Sequence, residues 1–336
     1  MNYLLLIIGI LIYLTIVVDM IMTTVTVKGG GWLTNKISKY VWKFFLRICI
    51  NNGKSKFLTH VGYLLLLFII IFWVFMLNVS FTLVLLSDDS SIINSTTKQP
   101  ADIWEKIYYS GFSLSTLGIG DYIANSNGWR FVTILYSFTG LILITMSITY
   151  FIPVLNAVIK KRKLGILLSS LGKDPQGILL NAWNEYNWDA YQFQLLSLSD
   201  EIVEHSQNHR AYPIIHYFYN NKKEKAIILQ IARLNEAIFI LKEYIKQDII
   251  SQSNQWNNID VALDNYVEVV IEVSGAKLTE NTPRGSSLNK LKKIDLIRKD
   301  IEIKKPSEKM QKRRMVLYHL VKEDGWDWKD VLEPSI

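Results

Sequence analysis

Three long apolar runs, all before Leu164, limit this chain more than any other feature. The first extends from Leu4 to about Val27. The second runs from His60 to Leu86, with YLLLLFIIIFWVFML at its centre, and the third from about Trp129 to Ile159. A helix that crosses a bilayer takes roughly 20 apolar residues, and each run supplies them. Lipid offers the backbone no hydrogen-bond partner, so each run must be helical. After Leu164 the composition is that of an ordinary water-exposed domain, which divides the 336 residues near that point. The first run has no basic flank and no small-residue cleavage site, so it is expected to stay in the chain rather than act as a signal peptide. Asp19, near one end of that run, fits either an interfacial position or an intramembrane acid with a structural partner.

Charge sets the expected orientation. The Lys28–Lys56 loop carries Lys28, Lys36, Lys39, Lys43, Arg47, Lys54 and Lys56 and no acid, and the third run ends in Lys160-Lys161-Arg162-Lys163. The segment after the second run carries Asp88 and Asp89 instead. Basic loops stay in the cytoplasm. The N-terminus and Ser87–Gly128 are therefore expected outside, with Lys28–Lys56 and everything after Lys160 inside, as in a multi-pass protein of the cell membrane.

Little in the sequence suggests catalysis. Cys49 is the single cysteine, which excludes an internal disulfide and a cysteine zinc site. Of the five histidines, His205 and His209 alone share helical spacing, and they read as a surface pair rather than a metal site. No catalytic residues, organic cofactor or nucleic-acid partner is expected. The protein is expected not to be an enzyme.

Between the second and third runs, Pro100 to Ser115 reads as a short helix. Pro100 and Asp102 suit its start, and Asp102 and Glu105 favour its first turn. Trp104, Ile107, Tyr108 and Phe112 form an apolar stripe at helical spacing. The segment is too short to span, so it is either an outside helix or a re-entrant one. Thr116-Leu117-Gly118-Ile119-Gly120-Asp121 follows. Glycine at alternate positions admits left-handed backbone. Alternating handedness can turn successive carbonyls to one side, and a symmetric ring of such rows would replace the water shell of a small cation.

Thr116–Asp121 resembles the selectivity filter of pore-loop potassium channels, of the T-x-G-x-G-D type. The order of outer helix, pore helix, filter and inner helix matches over about His60 to Ile159, roughly a third of the chain. The resemblance implies an all-α membrane protein with three transmembrane helices plus a re-entrant pore helix and filter, followed by a mostly helical cytoplasmic domain. It implies four chains around the pore axis. It implies K⁺ bound by the carbonyls of Thr116, Leu117, Gly118 and Ile119 with the Thr116 hydroxyl, Gly120 permitting the turn, and Asp121 and Trp104 supporting the filter. Leu117 stands where Val or Ile is usual. Ile119 stands where the family most often has an aromatic, so the hydroxyl that braces many filters from behind is missing. A non-selective monovalent cation channel is the alternative that this motivates. A membrane-anchored sensor or scaffold with a vestigial pore is another.

The chain is thus expected to comprise a first transmembrane helix (1–27), a cytoplasmic basic amphipathic segment (28–59), a pore domain (60–159), a cytoplasmic helical domain (160–278) and a basic linker with a C-terminal tail (279–336). Gly140, 22 residues after Gly118, fits a hinge by resemblance to the family, or a close helix contact. Pro153 should kink the inner helix, and Ile152, Val154 and Val158 would form any apolar constriction there. Leu33, Ile37, Tyr40, Val41, Phe44, Phe45 and Ile48 fall on one face of a basic amphipathic helix suited to membrane lipid at the inner surface. No helix with arginine at every third residue precedes the pore, which speaks against a voltage sensor. Lys222–Ile250 carries a short heptad seam, read as a domain core or an intersubunit coil. Trp183, Trp188, Tyr191 and Phe193 read as core. Thr279–Ser307 reads as a linker. Lys290–Arg314, with eleven Lys and Arg against four acids, reads as solvated and flexible, and WDWKDVL as a short docked helix. No nucleotide fingerprint or EF-hand pattern is visible, so the sequence names no regulatory ligand.

Overall fold

A computed structural model describes residues 1–27, 29–49, 55–186, 188, 191–246, 255–274, 283–297 and 307–333. The described residues are mostly helical, with one small two-stranded sheet. Helices α1 (Tyr3–Thr24), α3 (Leu58–Leu86) and α5 (Asn127–Ser169) are long and apolar enough to cross a membrane. A second helix, α2 (Trp32–Ile48), precedes α3. The chain forms two compact units. One holds residues 1–38 and 63–154, the other residues 39–62 and 155–336.

In the first unit, polar groups tie the apolar helices together. Asn2 caps α1, its side chain accepting from the Leu4 and Leu5 amides. Ser80 of α3 donates to the Gly9 carbonyl at 2.8 Å and shares a hydrogen bond with the Tyr136 hydroxyl of α5. Tyr13 of α1 pairs with Thr139 of α5 at 2.8 Å. Such bonds fix helix positions where lipid gives no hydrophobic drive. Asp19 has structural partners: it is fully buried and accepts from Trp73 Nε1 of α3 at 3.1 Å, from the Thr34 hydroxyl at 2.5 Å, and from the Leu33 and Thr34 amides. It thereby caps the start of α2 from the side of α1.

Helix α2 forms where the amphipathic pattern places it, but its buried line is Thr34, Ser38 and Trp42. Tyr40, Phe44 and Ile48, expected on an apolar face towards membrane lipid, are exposed, as are Lys36, Lys39, Lys43 and Arg47.

The second unit is a helical bundle of α6 (Pro175–Ala182), α7 (Gln192–Ala211), α8 (Ile227–Tyr244), α9 (Gln255–Ser274), α10 (Asn289–Lys292), α11 (Glu308–Glu323) and α12 (Lys329–Leu332). Helix α8 is its axis. Every residue from Ile227 to Leu241 is buried. The heptad seam is therefore core, with no face left for an intersubunit coil, and residues 247–250 of the expected helix lie outside the described residues. Trp183 and Trp188 pack at 5.0 Å, whereas Phe193 is 85% exposed and leaves that expected cluster.

The basic stretch is less solvated than its composition suggests. Arg314 makes a buried bidentate pair with Glu236 at 2.6 and 3.0 Å, and Arg313 binds Asp260 and Asp264. Leu291, Leu296 and Ile297 are buried, so 283–297 is packed rather than a free linker. The docked tail is present as α12, held by Arg233, which donates to the Asp330 and Val331 carbonyls at 2.7 and 3.2 Å. Residues 298–306 of the expected linker lie outside the described residues.

Candidate functional site

Helix α4 (Ile103–Leu114) lies in the first unit between α3 and α5. Asp102 and Glu105 form a reciprocal capping box: Asp102 Oδ1 accepts the Glu105 amide at 2.8 Å and Glu105 Oε2 accepts the Asp102 amide at 2.7 Å. Two short antiparallel strands, β1 (Ile92–Asn94) and β2 (Tyr122–Ala124), close the segment at its base, with Ile93 opposite Ile123. The α4 residues turned into the protein are Lys106, Tyr109, Ser110, Phe112, Ser113 and Leu114; of the expected stripe Phe112 is buried, whereas Tyr108 is exposed and Trp104 is 74% exposed. Polar anchors decided this. The Lys106 ammonium donates to the Leu85, Asp88 and Asp89 carbonyls at 3.2, 2.8 and 3.1 Å, ending α3, and Ser110 meets Thr82 of α3 at 2.9 Å.

After α4 the backbone alternates. Thr116, Gly118 and Gly120 have φ of +57, +58 and +86°. Those values are open to glycine, and at Thr116 they cost about 1–2 kcal/mol. Leu117 donates to the Phe112 carbonyl at 2.9 Å, which fixes the exit from α4. Leu117 and Ile119 are 67% and 51% exposed, and no atom of the chain lies within 4 Å of a Cβ placed on Gly118 or Gly120.

The far end of the loop is braced. The Asp121 carbonyl accepts the Ser95 amide at 2.8 Å, and its Oδ1 accepts the Tyr122 amide at 3.0 Å. The Tyr122 hydroxyl donates to Glu105 Oε1, which pushes the phenol pKa up. Nearby, Asp88 accepts Trp129 Nε1 at 2.9 Å. Burial raises the Asp88 pKa, but the hydrogen bonds from Ser90 and Trp129 and the charge of Lys106 outweigh it, so its carboxyl lies below the ordinary value.

Asp121, which the sequence singled out, is held by the Ser95 and Tyr122 amides. Ser95 and Tyr122 do not stand out in the sequence, because only the folding of the loop back along α4 brings them to Asp121 and Glu105. Gly140 of α5 faces the end of α4: a Cβ there would stand 2.0 Å from the Leu114 carbonyl oxygen. Pro153 lies inside α5, which continues as helix to Ser169. Val154 and Val158 are buried, so they do not form the expected constriction; Ile148, Ile152, Leu155 and Ile159 make the exposed face instead.

Among the described residues no group of three or more His, Cys, Asp or Glu could hold a metal ion. Residues 63–157 match a family model described as "Ion channel". The chain is 32% identical over 263 residues, 78% of its length and 76% of the relative's, to "Uncharacterized membrane protein YdjJ" of Bacillus subtilis (strain 168). No solved structure matches. The chain belongs to the family of that Bacillus membrane protein, and residues 63–157 are its ion-channel domain.

Proposed function

We propose that the protein is a homotetrameric, K⁺-selective channel of the cell membrane that conducts passively, with no enzymatic activity. The observation that carries this is the alternation of positive φ at Thr116, Gly118 and Gly120 within T-L-G-I-G-D. That alternation is the backbone condition for turning the carbonyls of Thr116, Leu117, Gly118 and Ile119 to one side, where they replace the hydration shell of K⁺. The Thr116 hydroxyl adds a ligand. The C-terminal end of α4 adds partial negative charge towards the ion.

One loop cannot surround an ion, and rotational symmetry closes the ring. The exposure of Leu117 and Ile119, with no atom of their own chain behind Gly118 and Gly120, supports packing against other copies. The N-terminus lies outside and the C-terminal unit in the cytoplasm, in keeping with the basic Lys28–Lys56 loop.

Crosslinking of the purified protein in detergent, followed by K⁺ efflux from liposomes, tests this reading. A four-chain ladder with efflux abolished by Gly118→Ala supports it. A monomer, or efflux that survives that substitution, contradicts it. A non-selective cation channel is the second reading, favoured by the aliphatic Ile119; it predicts equal efflux of K⁺ and Na⁺.

A further inference from the structure

The second unit encloses a small polar cavity that neither the bundle nor the filter requires. It is about 20 Å³ in volume, enough for one water molecule and too small for a nucleotide or a hydrated ion. The expected surface pair His205 and His209 lines it, and both are buried. Their rings lie 6.1 Å apart, and His216 stacks on His209 at 5.7 Å with planes 3° apart. Tyr266 of α9 covers His205 at 5.8 Å. From α5, the Lys161 ammonium donates to the Ile215, His216 and Phe218 carbonyls at 2.9, 3.3 and 3.2 Å. Asp324 follows α11 and approaches His216 Nε2 only to 3.7 Å.

Three buried polar atoms around this cavity have no hydrogen-bond partner: His205 Nδ1, His209 Nδ1 and Asp324 Oδ1. Buried polar atoms are rarely left so. One water seated in the cavity would serve them, and the species that such a set exchanges is a proton.

We infer that the cavity between Lys161, His205, His209, His216 and Asp324 is a proton-binding site, taking one water and exchanging a proton at Asp324, and that its charge state sets ion flux. The part about flux rests on the channel reading above. Lys161 lies eight residues beyond Pro153 on the same unbroken helix α5, so the cation that Asp324 attracts belongs to the inner helix itself.

Electrostatics single out Asp324. Burial raises its carboxyl to about 7, against the pull of Lys161 and with a push from Glu323. Burial, then the charge of Lys161, takes His205 to about 3; His216 goes to about 3 for the same reasons and His209 well below its ordinary value. Those three are neutral at neutral pH. Burial also raises Tyr266 and Tyr217, whose phenols feel Asp324, and Tyr219 likewise, so all three stay protonated. Arg162 adds like charge beside Lys161. Burial lowers the Lys161 ammonium to about 8, against the pull of Asp324, so the groups left to titrate near neutrality are Asp324 and Lys161.

The sign follows. A carboxyl raised in the folded state contributes stability that is complete below its unfolded value and is lost as pH rises through about 7. The histidines act oppositely: their neutral burial costs stability as pH falls below about 6.5. Lys161, lowered to about 8, acts oppositely to Asp324, its cost easing as pH rises through about 8, so from pH 6.5 to 8.5 the Asp324 contribution is read as the difference between the wild type and Asp324→Asn.

The test uses the full-length protein in detergent and in liposomes. Between pH 6.5 and 8.5 the apparent unfolding temperature of the wild type should fall relative to that of Asp324→Asn. Ion efflux of the wild type should change several-fold over the same interval, and that change should be smaller in Asp324→Asn. Lys161→Met removes the charge that lowers the Asp324 carboxyl, so it should move the wild-type midpoint to higher pH, and it serves if Asp324→Asn does not fold. Parallel unfolding curves for wild type and Asp324→Asn, or an unmoved midpoint in Lys161→Met, overturn the site. Should liposomes show no efflux at any pH, the channel reading fails, while the unfolding comparison still decides the proton site.

Discussion

A Cβ on Gly140 would sit 2.0 Å from the carbonyl oxygen of Leu114, the last residue of α4. Helix α5 therefore touches the end of α4 at a residue small enough to allow it. Of the two roles that the sequence left open for Gly140, close contact is the one with geometry behind it. Gly140→Ala forces α4 or α5 to move. Overpacking of this kind costs about 1–3 kcal/mol, and efflux should fall because the filter starts two residues after Leu114. Thermal unfolding and efflux of the variant check this together; an unchanged protein would mean that the contact is not kept in the membrane.

Gly118→Ala makes the contrasting case. Nothing in the chain lies near its Cβ, yet its φ is +58°. The left-handed strain is about 1–2 kcal/mol per residue. The fold should therefore survive with a small drop in unfolding temperature, while efflux is lost. Both results come from the same preparation.

Asp19 holds α1, α2 and α3 at one point. Asp19→Ala leaves the Trp73 indole, the Thr34 hydroxyl and two amides without their acceptor. An orphaned buried group costs about 1–3 kcal/mol, so the variant should lose several times the stability that Trp73→Phe loses. Unfolding curves of the two variants, side by side, test the ranking.

Much of this was legible in the sequence because the signals were local. Apolar length fixed α1, α3 and α5, the Asp102–Glu105 spacing fixed the start of α4, and the glycine spacing placed positive φ at alternate residues. What failed depended on which neighbour a side chain meets. Arg313 and Arg314 sit in a basic run that reads as solvated, but acids from α8 and α9, far away in the chain, bury them. His205 and His209 carry no local mark of burial. Val154 and Val158 follow the helical pattern as well as Ile152 does, and only packing tells the inner face from the outer. The Tyr122–Glu105 contact needed the loop to fold back along α4 before its partners could meet.

Arg314→Met should leave the Glu236 carboxylate buried without its partner. Breaking one side of such a pair costs about 3–5 kcal/mol, whereas replacing both sides with apolar residues is often neutral. The double variant Glu236→Met with Arg314→Met should recover most of the loss. Denaturant unfolding of the two proteins distinguishes a structural pair from one that the bundle does not need.

Tyr108→Phe removes the α4 hydroxyl on the side of Asp121 and leaves the ring. Expression and unfolding temperature should hardly change, since the ring contacts with Phe112 and Tyr122 are kept. Discrimination of K⁺ from Na⁺ should fall if, on the channel reading, this hydroxyl takes the place of the one that Ile119 does not provide. Relative efflux of the two ions from matched liposomes measures it.

The most direct measurement is the reversal potential of the purified protein in a planar bilayer, with K⁺ on one side and Na⁺ on the other at equal concentration. A carbonyl filter at Thr116–Ile119 predicts a potential far towards the K⁺ limit, lost in Gly118→Ala. A potential near zero with substantial current would contradict K⁺ selectivity and leave a cation pore that Ile119 does not tune.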